Sequence, residues 1–154
     1  MIKLIYISIY VLISFQDKEQ INKILNDLHK YASQANGKLY FDLFHEDAIF
    51  FGTDAKERWT KQEFENYALE RFNKGDGWTY YSISRNVYLN NDLNTAWFDE
   101  ELKNEKYGVF RGTGVLTKVD DKWKINQYNL LLPIPNDLLI KYSKEIKDFL
   151  NNDN

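Results

Sequence analysis

The sequence predicts an α+β fold, on three observations. Apolar residues recur at helical spacing through most of the first half of the chain, the mark of helices with one buried face. After Lys74-Gly75-Asp76-Gly77 the period falls to two, the spacing of a half-buried strand. Residues 107–137 then set two long runs of strand-forming residues on either side of Asp120-Asp121, a hairpin signature. Helices first and a meander of antiparallel strands after is the order of an α+β domain.

Taken in order, residues 4–15 are an uncharged, mostly apolar run behind Lys3. The run is too short to span a bilayer, which takes about 20 apolar residues. It fits the core of a signal peptide, although Ser14-Phe15-Gln16 lacks the small-x-small cleavage pattern. An extra strand is the alternative, given its Ile, Tyr and Val content. Asp17 with Gln20 resembles a capping box, and Ile21, Ile24, Leu25, Leu28 and Ala32 carry a helix on to residue 35. Asn36-Gly37 breaks it, and Leu39, Tyr40, Leu43 and Phe44 form a second, short helix. Residues 48–51 read as a strand stopped by Gly52. After a loop over 53–59, Thr60 and Glu63 box the start of a helix that presents Phe64, Tyr67, Ala68 and Phe72. Strands follow over 78–89 and 95–102, then the hairpin. Beyond Pro133 and Pro135, Asn136 caps a terminal helix bearing Leu138, Leu139, Tyr142, Ile146 and Phe149. The chain thus divides into a leading segment (1–16), one domain (17–137) and a helical extension (138–154).

At 154 residues a single domain can bury a sizeable core without staples. Aromatic residues make up 16%, enough to wall a cavity with rings. The net charge is −3, from 20 basic and 23 acidic residues spread along the chain, so the basic stripe of a nucleic-acid binder is missing. The absence of cysteine excludes disulfides, thiolate metal sites, a thiol nucleophile and a lipidated cysteine. Only two histidines exist, His29 and His45, without the spacing of a metal pair, so no metal and no cofactor are expected.

The fragments FFGTDAKERW, TAWFDEEL, RGTGVL and WKINQYNLLLPIPND, in this order, resemble the SnoaL-like domain. That family belongs to the nuclear transport factor two-like superfamily, which includes ketosteroid isomerases. The resemblance covers residues 17–137 and implies a cone: a curved sheet wrapped around the N-terminal helices, with a pocket at one end and dimerisation through the sheet. It leaves activity open, because the superfamily holds isomerases, cyclases, dehydratases and binding domains. Steroid isomerisation is not implied, since the place of its proton-abstracting carboxylate falls near Gly52, with Asp54 two residues on.

Candidate site residues follow from strand phase. Trp97, Asp99 and Glu101 share one face; if Trp97 looks inward, Asp99 becomes a carboxylate in an apolar pocket, fit for acid–base work. Its alternative is a rim carboxylate paired with Arg111 or Lys106, and one residue of slip would turn Glu100 inward instead. Trp123, Gln127 and Asn129 share a face that a two-residue loop sets opposite Gly114 and Gly112, giving a hollow with amides on its wall. Those amides could equally satisfy buried backbone. Asp54 and Trp59 belong to the loop motif, Asp54 as a second candidate acid or base or as an Asx turn, Trp59 as a wall. The expected function is a domain that binds a small apolar or cyclic molecule through Trp97, Gln127, Asn129, Trp123 and Trp59. The alternatives are an acid–base enzyme using Asp99 or Asp54, and a non-catalytic structural dimer. A homodimer is expected from the two-sided apolar pattern of 78–89, unless the terminal helix covers it. Export to a periplasmic or extracellular space follows if 1–16 is a signal peptide; otherwise the protein is cytoplasmic.

Overall fold

The computed structural model describes residues 2–152, with side chains from Ser8 to Asn151; the basic start expected at Lys3 lies outside the described side chains. Helices α1 (Ile2–Ser33) and α2 (Gly37–Phe41) precede strand β1 (Phe44–Phe51), short strand β2 (Arg58–Thr60) and helix α3 (Lys61–Phe72). Strands β3 (Tyr81–Leu89), β4 (Thr95–Asn104), β5 (Gly108–Val119) and β6 (Lys122–Leu131) follow, then helix α4 (Asn136–Asn152). The strands form one six-stranded sheet in the order β2-β1-β6-β5-β4-β3, in which only β1 and β6 run parallel. The predicted α+β order therefore holds.

The local reasons are mostly the expected ones. Thr60 and Glu63 complete a capping box at α3, and Asn36 caps α2 by accepting from the Leu39 amide at 3.2 Å. Asp120 and Asp121 both take positive φ (48° and 60°), and Val119 pairs with Lys122, so the hairpin closes through the two residues expected. Three boundaries move. Phe44 opens β1 rather than extending α2, and Arg58 and Trp59 of the expected loop, with the cap Thr60, pair with β1. Residues 78–80 stay outside β3 because the Trp78 amide turns back to the Ala32 carbonyl.

The leading run is helical, so the alternative of an extra strand is overturned: α1 continues unbroken from Ile2 through the expected capping box. Asp17 is therefore no cap. Its carboxylate accepts from Trp123 Nε1 at 2.9 Å and pairs with Lys118 Nζ at 2.7 Å, fastening α1 to the β5–β6 hairpin. Among residues with described side chains, Asp17 is the first buried one. From there Ile21, Leu25, Leu28 and Ala32 face the sheet, and each large aliphatic side chain buried there contributes about 1.5–3 kcal/mol.

Side-chain phase departs from simple alternation at two bulges. In β3 the pairing slips between Ser82 and Ser84, leaving Ile83 as the extra residue. Tyr81 and Ile83 consequently face outward, while Val87 and Leu89 pack on the core. In β6 the register to β5 slips between Leu116↔Ile125 and Val115↔Gln127, which makes Asn126 the extra residue. Each bulge adds one residue to a period of two, so everything beyond it changes face.

Candidate functional site

The bulge at Asn126 decides what the inner wall carries. Trp123 and Ile125 point inward as expected, but beyond the bulge Tyr128 is buried, and Gln127 and Asn129 alternate away from it. The partner of Gly114 is Tyr128 and that of Gly112 is Leu130, so the glycines do not face the amides. On β4, which has no bulge, the buried phase is Ala96, Phe98, Glu100 and Leu102. Trp97 lies on the other face, 47% exposed and stacked on Tyr88 at 5.7 Å. Asp99 follows it outward, taking a hydrogen bond from Asn86 Nδ2 at 3.1 Å and lining an outer hollow with Ser84, Glu101 and Arg111. The indole thus finds its partner on the adjacent strand of the outer face, and the carboxylate one residue on occupies the interior.

Glu100 is the centre of that interior. Its side chain has no exposed surface, and both oxygens are saturated. Arg85, 7% exposed, donates from Nε and Nη2 to Oε2 at 2.9 and 2.7 Å. His29 Nε2 lies 3.0 Å from Oε1, and the Tyr128 hydroxyl donates to the same oxygen at 2.8 Å. Arg85 in turn reaches α1, giving Nη1 to the Asn22 carbonyl and Asn26 Oδ1 at 3.2 and 2.9 Å. One carboxylate therefore ties β3, β6 and α1 to β4.

Gly112 makes the arrangement sterically possible. It pairs directly with Glu100 across β4–β5. A Cβ there would stand 2.6 Å from the Tyr128 hydroxyl and 2.9 Å from Glu100. With hydrogen in its place, Tyr128 of β6 reaches over β5 to a residue of β4.

The electrostatics follow from this packing. Burial pushes the Glu100 carboxyl up, but hydrogen bonding and charge from His29, together with Arg85, outweigh it and hold the group below its ordinary range. Burial, then the Glu100 charge, drives the Tyr128 phenol well above its ordinary value, so it stays a proton donor to the carboxylate. An ionised carboxylate only accepts, so His29 Nε2 carries the proton of their bond, and in the neutral ring Nδ1 is left as the acceptor.

Next to this cluster lies the cavity. Its outer part, about 160 Å³, is lined by Phe50, Trp59, Phe64, Tyr67, Arg71 and Trp78 among others. An inner niche of about 20 Å³ shares Phe50, Trp78, Tyr80 and Leu130 with it and reaches His29 and Tyr128. The walls are near-parallel rings in sequence: Tyr67 on Trp59 (4.9 Å, 25°), Trp59 on Phe64 (5.6 Å, 7°), Phe64 on Phe50 (3.8 Å, 15°) and Phe50 on Tyr128 (5.7 Å, 8°). This ladder runs from the opening to the buried hydroxyl.

Of the residues singled out from the sequence, Trp59 is the one that lines this cavity. Trp123 is buried against Asp17 instead. Asp54 is exposed and serves its own loop, accepting from the Lys56 amide at 2.8 Å as an Asx turn does. Glu100, Arg85, His29 and Tyr128 were not selected, yet two signals point to them. Glu100 is the one charge in the otherwise apolar phase Ala96, Phe98, Leu102, and Asn22, Asn26 and His29 form a polar stripe along α1 at helical spacing. No group of three or more potential metal ligands occurs among the described residues.

Comparison with known proteins places this geometry. Residues 21–135 match the family model of the SnoaL-like domain. No curated protein matches the chain. Among solved structures, a protein of unknown function from Pseudomonas putida, described as NTF2-like, superposes with a TM-score of 0.66 at 8% identity, covering 80% of this chain and 90% of that one. A protein from Novosphingobium aromaticivorans, provisionally named a scytalone dehydratase, gives 0.66 at 14% identity over 80% and 89%. A protein of unknown function with a cystatin-like fold from Nostoc punctiforme gives 0.62 at 14% identity over 75% and 90%. At these identities the likeness is one of fold.

Proposed function

The chain belongs to the SnoaL-like domain family, and we propose that it is a binding member whose ring-walled cavity takes a small, mostly apolar molecule. The observation that carries this reading is the ladder of near-parallel rings leading from the opening to a niche bounded by His29 and Tyr128. Apolar walls with a few convergent polar groups are the usual make-up of small-ligand sites. Trp59 is the wall residue that matters most, and the Glu100 cluster fixes the polar end. p-Cresol, one ring with one hydroxyl, is a suitable probe by calorimetry. Trp59→Ala removes a stacking wall worth about 0.5–1.5 kcal/mol and weakens binding accordingly. Trp97→Ala, on the outer face, leaves binding unchanged. Equal effects of the two substitutions, or no binding by the wild type, would overturn the reading.

A second reading, acid–base catalysis, is favoured by one feature. His29, held by a buried carboxylate and lining the niche, has the form of a base positioned by a third group. Dehydratase is the provisional name of a structural neighbour, and loss of a hydroxyl next to an acidic C–H needs a base of this kind. His29→Gln would abolish turnover of any substrate found while weakening binding of p-cresol by no more than one hydrogen bond, about 0.5–1.5 kcal/mol.

The assembly we propose is a homodimer through the outer sheet face. Tyr81, Ile83, Tyr88 and Trp97 form an apolar patch there that α4 leaves exposed. Sedimentation at micromolar concentration would show a dimer, and Trp97→Arg a monomer. The leading segment is proposed to be removable, because among residues with described side chains buried packing begins at Asp17. Mass spectrometry of the mature amino terminus tests that, an intact Met1 counting against export. No helix among the described residues is long and apolar enough to cross a membrane.

A further inference from the structure

Resting on the reading that the cavity binds a ring-sized molecule, we infer that its ligand is a one-ring aromatic acid with a hydroxyl on the side away from the carboxylate. Three observations specify that chemistry. The first is size: about 160 Å³ plus a niche of about 20 Å³ is close to the ~150 Å³ that an apolar cavity needs to take up benzene. One ring with short substituents fits. The near-parallel wall rings favour a flat partner over a branched aliphatic one.

The second observation is the charge at the opening. Arg71, in the last turn of α3, is the one cation among the residues lining the cavity. Its guanidinium lies over the Trp78 ring at 5.8 Å and makes no ion pair among the described residues. Glu57, the one acid on the same wall, is turned into its own loop, where it accepts from the Asp54 amide at 3.0 Å. The opening therefore offers a planar, unpaired fork of donors beside a ring slot, the geometry that takes a carboxylate in two parallel hydrogen bonds.

The third is the polarity of the inner end. The Tyr128 hydroxyl gives its proton to Glu100, and His29 Nε2 is committed to the same carboxylate. What the phenol has left is an acceptor lone pair. A ligand group entering the niche must be a donor, and a hydroxyl satisfies this where a second carboxylate or a carbonyl would not.

Calorimetry at neutral pH with 4-hydroxybenzoate, 4-hydroxybenzamide, benzoate and p-cresol tests the assignment. The acid should bind about fivefold more tightly than its neutral amide, the upper end for an exposed ion pair. Arg71→Gln should remove that advantage, lowering the affinity for the acid more than that for the amide; Arg71→Lys should restore part of it. Benzoate, lacking the hydroxyl, should bind about five- to tenfold more weakly than 4-hydroxybenzoate, as expected for one lost hydrogen bond. If the amide and p-cresol bind as tightly as the acid, or Arg71→Gln leaves the acid unaffected, the acid assignment fails while the cavity remains a ring-binding site. If none of the four binds, the binding reading fails with it.

Discussion

Asp99 and Glu100 are consecutive carboxylates on β4, and they meet opposite environments. Asp99 faces the outer side of the sheet, half-buried, with the Asn86 amide and the Tyr88 hydroxyl near it. Glu100 faces the core and carries the contacts of three other elements through Arg85, His29 and Tyr128. The chemistry of the two side chains is nearly the same. What separates them is the period of the strand, which hands every second residue to the interior. The site of this protein is thus a product of phase, and phase is set by register and by bulges.

The largest way to break that contrast is Glu100→Ala. It strands the Arg85 guanidinium in the interior without its counter-charge, which costs about 3–5 kcal/mol. Urea unfolding would show the loss directly. Gly112→Ala comes next. The added methyl has no room between the Tyr128 hydroxyl and Glu100, and overpacking of this kind costs about 1–3 kcal/mol. In this variant Tyr128 and Glu100 would be pushed apart, which a shift of the Tyr128 ring resonances would report.

Acid provides a third, smaller test. The folded-state pKa of Glu100 lies below its ordinary 4.5, because His29 and Arg85 outweigh the upward effect of burial. Between the folded and unfolded values the unfolded chain holds the proton and the folded chain does not, so stability rises with pH across that window. The contribution is fully present above about pH 4.5 and is lost as pH falls through the folded value. Stability of the wild type should therefore fall on acidification, and Glu100→Gln should flatten that slope. Asp99→Asn gives the smallest effect. A half-buried carboxylate on the outer face, beside Asn86 and Tyr88, should shift stability by less than about 0.5 kcal/mol.

The same contrast explains what could be read from residues alone. The α+β order, the capping box at Thr60, the two-residue hairpin loop and the aromatic share were all legible, because each rests on local chemistry. The pairing of Leu116 with Ile125 follows from the hairpin loop; the pairing of Gly114 with Tyr128 does not. Between them stands one extra residue, Asn126, whose side chain meets Thr117, and nothing in a period-two pattern announces it. An inward-looking tryptophan would bring Asp99 inside and leave Glu100 outside. Trp97 instead stacks on Tyr88, a partner on the adjacent strand that only pairing of β3 with β4 reveals. On its own His29 gives no signal of a site in the sequence, because a lone histidine beside an apolar stripe has no sequence partner. Its partner is 71 residues away.

The proposed ligand cavity lies on the Glu100 side of the sheet, walled by Trp59 and Trp78. The chain holds four tryptophans, in three different environments. Trp59 and Trp78 line the cavity, Trp97 lies on the outer face, and Trp123 is bonded to Asp17. Titrating the ¹⁵N-labelled protein with p-cresol while following the indole N–H signals reads all of them at once. The account predicts that the Trp59 and Trp78 signals move together and saturate, while those of Trp97 and Trp123 stay in place. Movement of Trp97 with Trp59 and Trp78 unmoved would put the ligand on the outer face and contradict it.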